Sequence, residues 1–217
     1  FWVKPSQIFV EGIRHITPLD IQFARRLGYC IKLLGIVKKL GGKVQIAVHP
    51  ALVPETHVLA NVSGVFNAIL VRGDIVGDTL HYGQGAGADA TASAVLSDLA
   101  DAALDLKNGS VGRVPPFVPH EQDGAVLPMD KAVSPFYLRL SVVDRPGTLA
   151  RIAAVLGEAK IGICSVIQPE GHVGESVPLI MMLHDAPDAA MRQAIKKITR
   201  LSAVKAKPTM IRVETFD

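Results

Sequence analysis

The stretch YGQGAGADATASAV, residues 82–95, places glycines at alternate positions, Gly83, Gly85 and Gly87, before an alanine-rich segment. A glycine-rich backbone opening a helix is how phosphate cradles are built, because free amides and the helix dipole favour an anion. A dinucleotide fingerprint needs G-x-G-x-x-G after one strand, and a second strand after the helix. Here the spacing is G-x-G-x-G, and a proline-rich stretch follows the helix instead of a strand. A glycine-permissive crossing from sheet into helix therefore outweighs direct cofactor contact. No Lys-Ser/Thr pair follows the glycines, so a P-loop is excluded.

The stretch VVDRPGTLARIAAVL carries a different chemistry. Asp144 ends a strand, Pro146 sets a turn, and Gly147 lets the backbone approach a ligand closely. The free amides at the start of the following helix favour a carboxylate, and Asp144 could pair with an ammonium group. Together these describe a free amino acid. Asp144 as a simple helix cap explains the same residues equally well.

Other chemistries find little support. The seven histidines are scattered, and His49 and His57 share a loop without a third ligand, so no metal site is expected. No G-x-S-x-G occurs, and no Cys or Ser lies in an evident electropositive turn. Asp98, Asp101 and Asp105 recur at helical spacing as a solvated face, and Glu11 is ambiguous. Cys30 and Cys164 sit among apolar residues and read as small buried hydrophobes in a reducing compartment.

The chain has 217 residues, 49% of them apolar and 20% charged, as in soluble globular proteins. That length suggests two domains. A net charge of +3, with Lys and Arg spread along the chain, does not suggest nucleic-acid binding. There is no signal peptide and no bilayer-spanning run, so neither a membrane nor export is expected. A start at Phe1 rather than Met hints at missing upstream sequence.

Several elements must position these groups. Thr17 as N-cap, Pro18 at the first helical position and Asp20 at the third open a helix that ends near Gly28. CIKLLGIVKK and KVQIAVHP are strands joined at Gly41-Gly42, followed by a loop carrying Pro50, Pro54 and His57. VFNAILV and IVGDTLHY form a hairpin through Gly73-Asp74. A helix capped by Thr91 runs to Lys107, with Val95, Leu99, Ala102 and Leu106 on one apolar face. Residues 108–134 are rich in proline and form a linker. Beyond it the order is β-α-β-β-α-β, the ferredoxin-like split unit. Leu149, Ile152, Val155 and Leu156 face inward from its first helix, and Met191, Ile195 and Ile198 from its second.

Residues 136–214 resemble an ACT domain, on DRPGTLARIAAVLGEAKIGICSVIQ. The resemblance implies amino-acid binding between paired copies. It implies contacts from Asp144, Arg145, Pro146, Gly147 and Thr148 on the turn, and from Ile163, Cys164, Ser165 and Val166 on the facing strand. VEGIRHITPLDIQFARRLGYCIKLLG, VHPALVP, THVLANVSGVFNAILV and YGQGAGADATASAVLSDLADAA resemble the C-terminal part of homoserine dehydrogenase. The combination implies an α+β protein: residues 1–107 from a mixed-sheet substrate and dimerisation domain, a linker at 108–134, and an ACT domain at 135–217. It implies a cytoplasmic homo-oligomer working with NAD(P) on homoserine and aspartate semialdehyde, and sensing threonine. The family's nucleotide-binding domain and its catalytic Lys and Asp precede IFVEGI. No catalytic residue is therefore expected in this chain, and Gly85 and Gly87 at most border the cofactor. The competing expectation is a free-standing ACT-type amino-acid-binding regulatory protein.

Overall fold

The computed structural model describes residues 3–110, 126–169 and 174–216, in two compact units, 1–55 with 121–217, and 56–120. Phe1-Trp2 and linker residues 111–125 lie outside the described residues.

In the larger unit, β1 (Phe9–Val10) leads to α1 (Pro18–Arg26). The helix starts as its capping box requires. Thr17 N–H donates to Asp20 Oδ2 at 2.8 Å, Asp20 N–H donates to Thr17 Oγ1 at 3.4 Å, and Pro18 occupies the first turn. β2 (Tyr29–Leu40) and β3 (Lys43–Pro54) pair along their whole length. Their two-residue connection needs positive φ at both positions, which Gly41 (+52°) and Gly42 (+78°) supply. The expected loop at Pro50 and Pro54 is corrected, because β3 runs on to Pro54. Pro50, which lacks an N–H, falls between the stretch paired with β1 (Ala47, Val48) and the stretch paired with the last strand (Ala51, Leu52).

The ferredoxin-like order follows: β6 (Val133–Val143), α3 (Thr148–Glu158), β7 (Ile163–Ile167), β8 (Ser176–Pro187), α4 (Asp188–Ile198) and β9 (Thr209–Val213). The strands run β1-β3-β9-β6-β8-β7, with β2 on β3; among these described strands the β1–β3 and β3–β9 pairings are parallel and the others antiparallel. The fold is α+β, as expected. The compact units, however, do not follow the sequence boundaries at 107/108 and 134/135. Parallel pairing of β3 with β9 joins residues 1–55 to the C-terminal unit in one sheet.

Period-two patterning places apolar residues on both sheet faces. Phe136, Leu138 and Leu140 of β6 face α3 and α4, packing with Ile152, Leu156, Met191 and Ile198. Tyr137 faces the other way and packs with Phe23, Ala24, Leu52, Ile180 and Ile211 beneath α1. Val155 and Ile195 also join the helix-side core, but Leu149 does not; it is 41% exposed because it lies at the mouth of a cavity. The cysteine expectation is corrected too. Cys164 is exposed and Cys30 half-buried, both with free thiols.

The smaller unit holds a short 3-10 turn at Val58–Asn61, the hairpin of β4 (Phe66–Gly73) and β5 (Gly77–Gln84), and α2 (Ala88–Asn108). Phe66 and Tyr82 stack with centroids 4.9 Å apart, and Arg72 grips Asp78 with bonds of 2.7 and 2.9 Å. Thr91 does not cap α2. Gly87 does, at φ +125° and ψ 147°, one turn earlier, and Thr91 N–H donates to its carbonyl at 3.1 Å. The apolar stripe on α2 is not a core face in this chain, since Val95, Leu99 and Leu106 are 52%, 61% and 73% exposed. Among the described residues of this unit none is buried.

Candidate functional site

β6 delivers the chain into the turn Asp144–Gly147. Gly147, at φ +85°, caps α3 without any side-chain bond. Thr148 is buried and its hydroxyl donates to the Val143 carbonyl at 3.1 Å, closing the turn beneath the helix. The Asp144 backbone is pinned on both sides, its N–H donating to Glu175 and its carbonyl accepting from Gly174, each at 2.9 Å. Among the described residues its carboxylate caps nothing and has no ion-pair partner.

Around this turn lies a cavity of about 390 Å³. Asp144, Arg145, Pro146, Gly147 and Thr148 all line it, with Val142, Val143, Leu149, Leu179 and Gln168. Apolar walls with few polar groups suit a small ligand having a charged end and an aliphatic body. The sheet brings the five turn residues together, but not the four on β7. Ile163, Cys164, Ser165 and Val166 do not line the cavity, because they run beside Met181–Leu183 of β8 while the cavity lies at its Leu179 end. Sequence reasoning missed Gln168, which reaches the cavity from just past β7. Its position, one residue beyond the strand, was the available signal.

Gly85 and Gly87 belong to the β5–α2 crossing. A Cβ at Gly85 would sit 1.5 Å from Asn67 Nδ2, and Gly85 N–H donates to the Val65 carbonyl at 3.0 Å. Gly87 is thus required by its backbone conformation, whereas a side chain at Gly85 would have to displace the Asn67 amide. No group of three or more His, Cys, Asp or Glu within reach of one metal ion occurs among the described residues.

Two buried charge clusters were not legible beforehand. In the first, Asp20 accepts from Arg139 Nε (2.5 Å) and an Arg139 terminal nitrogen (2.9 Å), from Tyr137 OH (3.1 Å) and from Thr17 Oγ1 (2.7 Å). Arg139 also donates to Thr209 Oγ1 at 2.8 Å. Burial would raise the Asp20 pKa, but hydrogen bonds from Arg139 and Thr17 outweigh it and hold the carboxyl below its ordinary value. Burial and the Asp20 charge push the Tyr137 hydroxyl up, so it stays a neutral donor.

In the second, Arg212 of β9 bonds Asp188 at the start of α4 (2.9 Å from Nε) and Glu11 (2.9 Å). Arg192 also reaches Asp188, and both arginines lie over the Phe9 ring at 5.2 and 5.1 Å. Glu11, ambiguous in the sequence, is therefore a structural ion-pair partner. His49 is buried nearby, its Nδ1–H donating to Pro50 O at 3.0 Å, and burial lowers its pKa.

A ferredoxin-like α+β core extended by N-terminal strands, with a cavity at its first turn, defines a mixed-sheet α+β protein. The profile of the homoserine dehydrogenase family matches residues 1–100. A homoserine dehydrogenase of Neisseria gonorrhoeae is 41% identical over 214 residues, covering 97% of this chain and 49% of that protein. One from Pseudomonas aeruginosa is 39% identical, covering 98% and 50%. The crystal structure of a homoserine dehydrogenase from Thiobacillus denitrificans superposes with a TM-score of 0.84 at 40% identity, covering 96% of this chain and 48% of that one. That from S. aureus at pH 7.0 gives 0.65 at 28% identity, over 98% and 49%. The chain belongs to the homoserine dehydrogenase family, and it spans about half the length of the relatives it matches.

Proposed function

We propose that this chain is the C-terminal portion of an NAD(P)-dependent homoserine dehydrogenase, and that it supplies assembly and amino-acid sensing. The parent reaction interconverts homoserine and aspartate semialdehyde, with hydride chemistry supplied by the nicotinamide when bound. Residues 1–107 would belong to the substrate and dimerisation domain, and 135–217 would form the ACT-type regulatory domain. The working assembly would be a cytoplasmic homo-oligomer.

The observation that carries this reading is near-complete coverage of the chain, at about 40% identity, by half-length matches to homoserine dehydrogenases. The next described strand after α2 is β6, which belongs to the other sheet and does not pair with β5, so the β5–α2 crossing does not fit a dinucleotide by itself. Gly85 and Gly87 would only border a cofactor held by a nucleotide-binding half. The chain alone is accordingly expected to lack homoserine oxidation, which a coupled NADPH absorbance assay checks.

For sensing, the turn cavity would take a free amino acid, threonine first. Asp144 would accept the ammonium, and the α3 N-terminal amides with Arg145 would take the carboxylate. Ile163, Cys164, Ser165 and Val166 would complete the site only from a paired copy. Calorimetric titration with threonine, methionine, isoleucine and lysine tests this. Heat with one of them, weakened about tenfold or more by Asp144→Asn through loss of a charged hydrogen bond, is expected. Silence with all four would overturn the sensor.

A further inference from the structure

We propose that the Asp20–Arg139–Tyr137 cluster couples occupancy of the turn cavity to the start of α1, with Asp20 and Arg139 as positioning residues; this rests on the amino-acid sensor reading. Two strands touch both places. β6 carries Tyr137 and Arg139 on the face under α1, and three residues beyond Arg139 its Val142 and Val143 line the cavity. At about 3.3 Å per residue, clamp and cavity lie about 10 Å apart along one strand. β8 repeats the arrangement with adjacent residues, Leu179 lining the cavity and Ile180 packing with Tyr137, Phe23 and Ala24. Close-packed protein interiors leave few voids to absorb a strand shift, so movement at the turn would be passed along β6 and β8 to the clamp.

What the clamp would do there follows from the bonds of one carboxylate. Asp20 Oδ2 accepts from Arg139 and also from Thr17 N and Oγ1, the bonds that begin α1. Displacing the guanidinium therefore redistributes the capping box and loosens or tightens the first turn of the helix. The pair is nearly dry, Asp20 being fully buried and the Arg139 side chain 16% exposed, so neither charge is readily rescued by water. A ligand that draws β6 toward the turn would thus be felt in the N-terminal segment with no contact between the two.

Hydrogen exchange on the full 217-residue chain, with and without whichever of threonine, methionine, isoleucine or lysine gives heat, tests this. In the wild type, exchange in peptides covering residues 17–27 should change about fivefold or more on binding, the low end of ordinary allosteric coupling. In Arg139→Lys, which keeps the charge but loses the two-pronged grip, the amino acid should still bind while that change disappears. Asp20→Asn should behave likewise; if it does not fold, the wild type and Arg139→Lys still decide. Binding with unaltered exchange across 17–27 in the wild type, or an unaltered response in Arg139→Lys, overturns the coupling and leaves the sensor standing. No binding by any of the four overturns both.

Discussion

At the scale of single residues, the buried carboxylates matter most. Asp20 illustrates how a side chain recognised for one role turns out to have two, capping α1 and neutralising Arg139 under the sheet. Breaking one partner of a buried pair leaves the other uncompensated, so Asp20→Asn should cost about 3–5 kcal/mol in urea denaturation. The pH dependence follows from its depressed pKa. The stabilisation is complete above the ordinary carboxylate value of 3.8 and is lost as pH falls through the lower value of the folded state. His49 adds an earlier loss. Its burial disfavours the imidazolium, so protonation of the unfolded chain below the ordinary value of 6.5 favours unfolding. Urea midpoints measured from pH 7 to about pH 2 should fall in both windows. Asp20→Asn should flatten the lower one and His49→Gln the upper.

At the scale of elements, helices were legible where they carry chemical punctuation. Thr17-Pro18-x-Asp20 marked the start of α1 because capping is a local interaction. The start of α2 was missed because a glycine cap donates no side chain, and the threonine a turn later offered a misleading one. Gly87 occupies a backbone region essentially closed to other residues. Gly87→Ala should therefore cost about 1–3 kcal/mol and show as faster exchange in the first turns of α2. In α3, Ile152 and Leu156 are fully buried between helix and sheet, and Leu156→Ala should cost about 2–5 kcal/mol by thermal or urea melting. The same substitution at Leu149, 41% exposed, should cost far less, although helical spacing alone placed it beside them.

At the scale of the whole molecule, the two units differ in how much they bury. The larger has cores on both faces of its sheet. The described part of the smaller has no buried residue, and Ile69, Leu99 and Leu106 are 66%, 61% and 73% exposed. A two-stranded hairpin and one helix cannot hold themselves together without covering such surface. Limited proteolysis of the isolated chain should cut within residues 56–110 first and leave the β6–β9 core intact. Resistance of 56–110 equal to that of the core would contradict this account.

Local and periodic features were determined by the amino-acid sequence alone. The capping box, the Gly41-Gly42 hairpin, the βαββαβ order and the turn Asp144–Thr148 each depend on neighbours within a few residues, or on a period of 2 or 3.6. Only the tertiary structure decided what meets across long separations. Parallel pairing of β3 with β9 merges residues 1–55 with the C-terminal unit; Asp20 finds Arg139 and Glu11 finds Arg212; and the β7–β8 register sets Ile163–Val166 away from the cavity. No periodicity encodes such meetings, because strand order and the pairing of distant charges are set by which faces bury together in three dimensions.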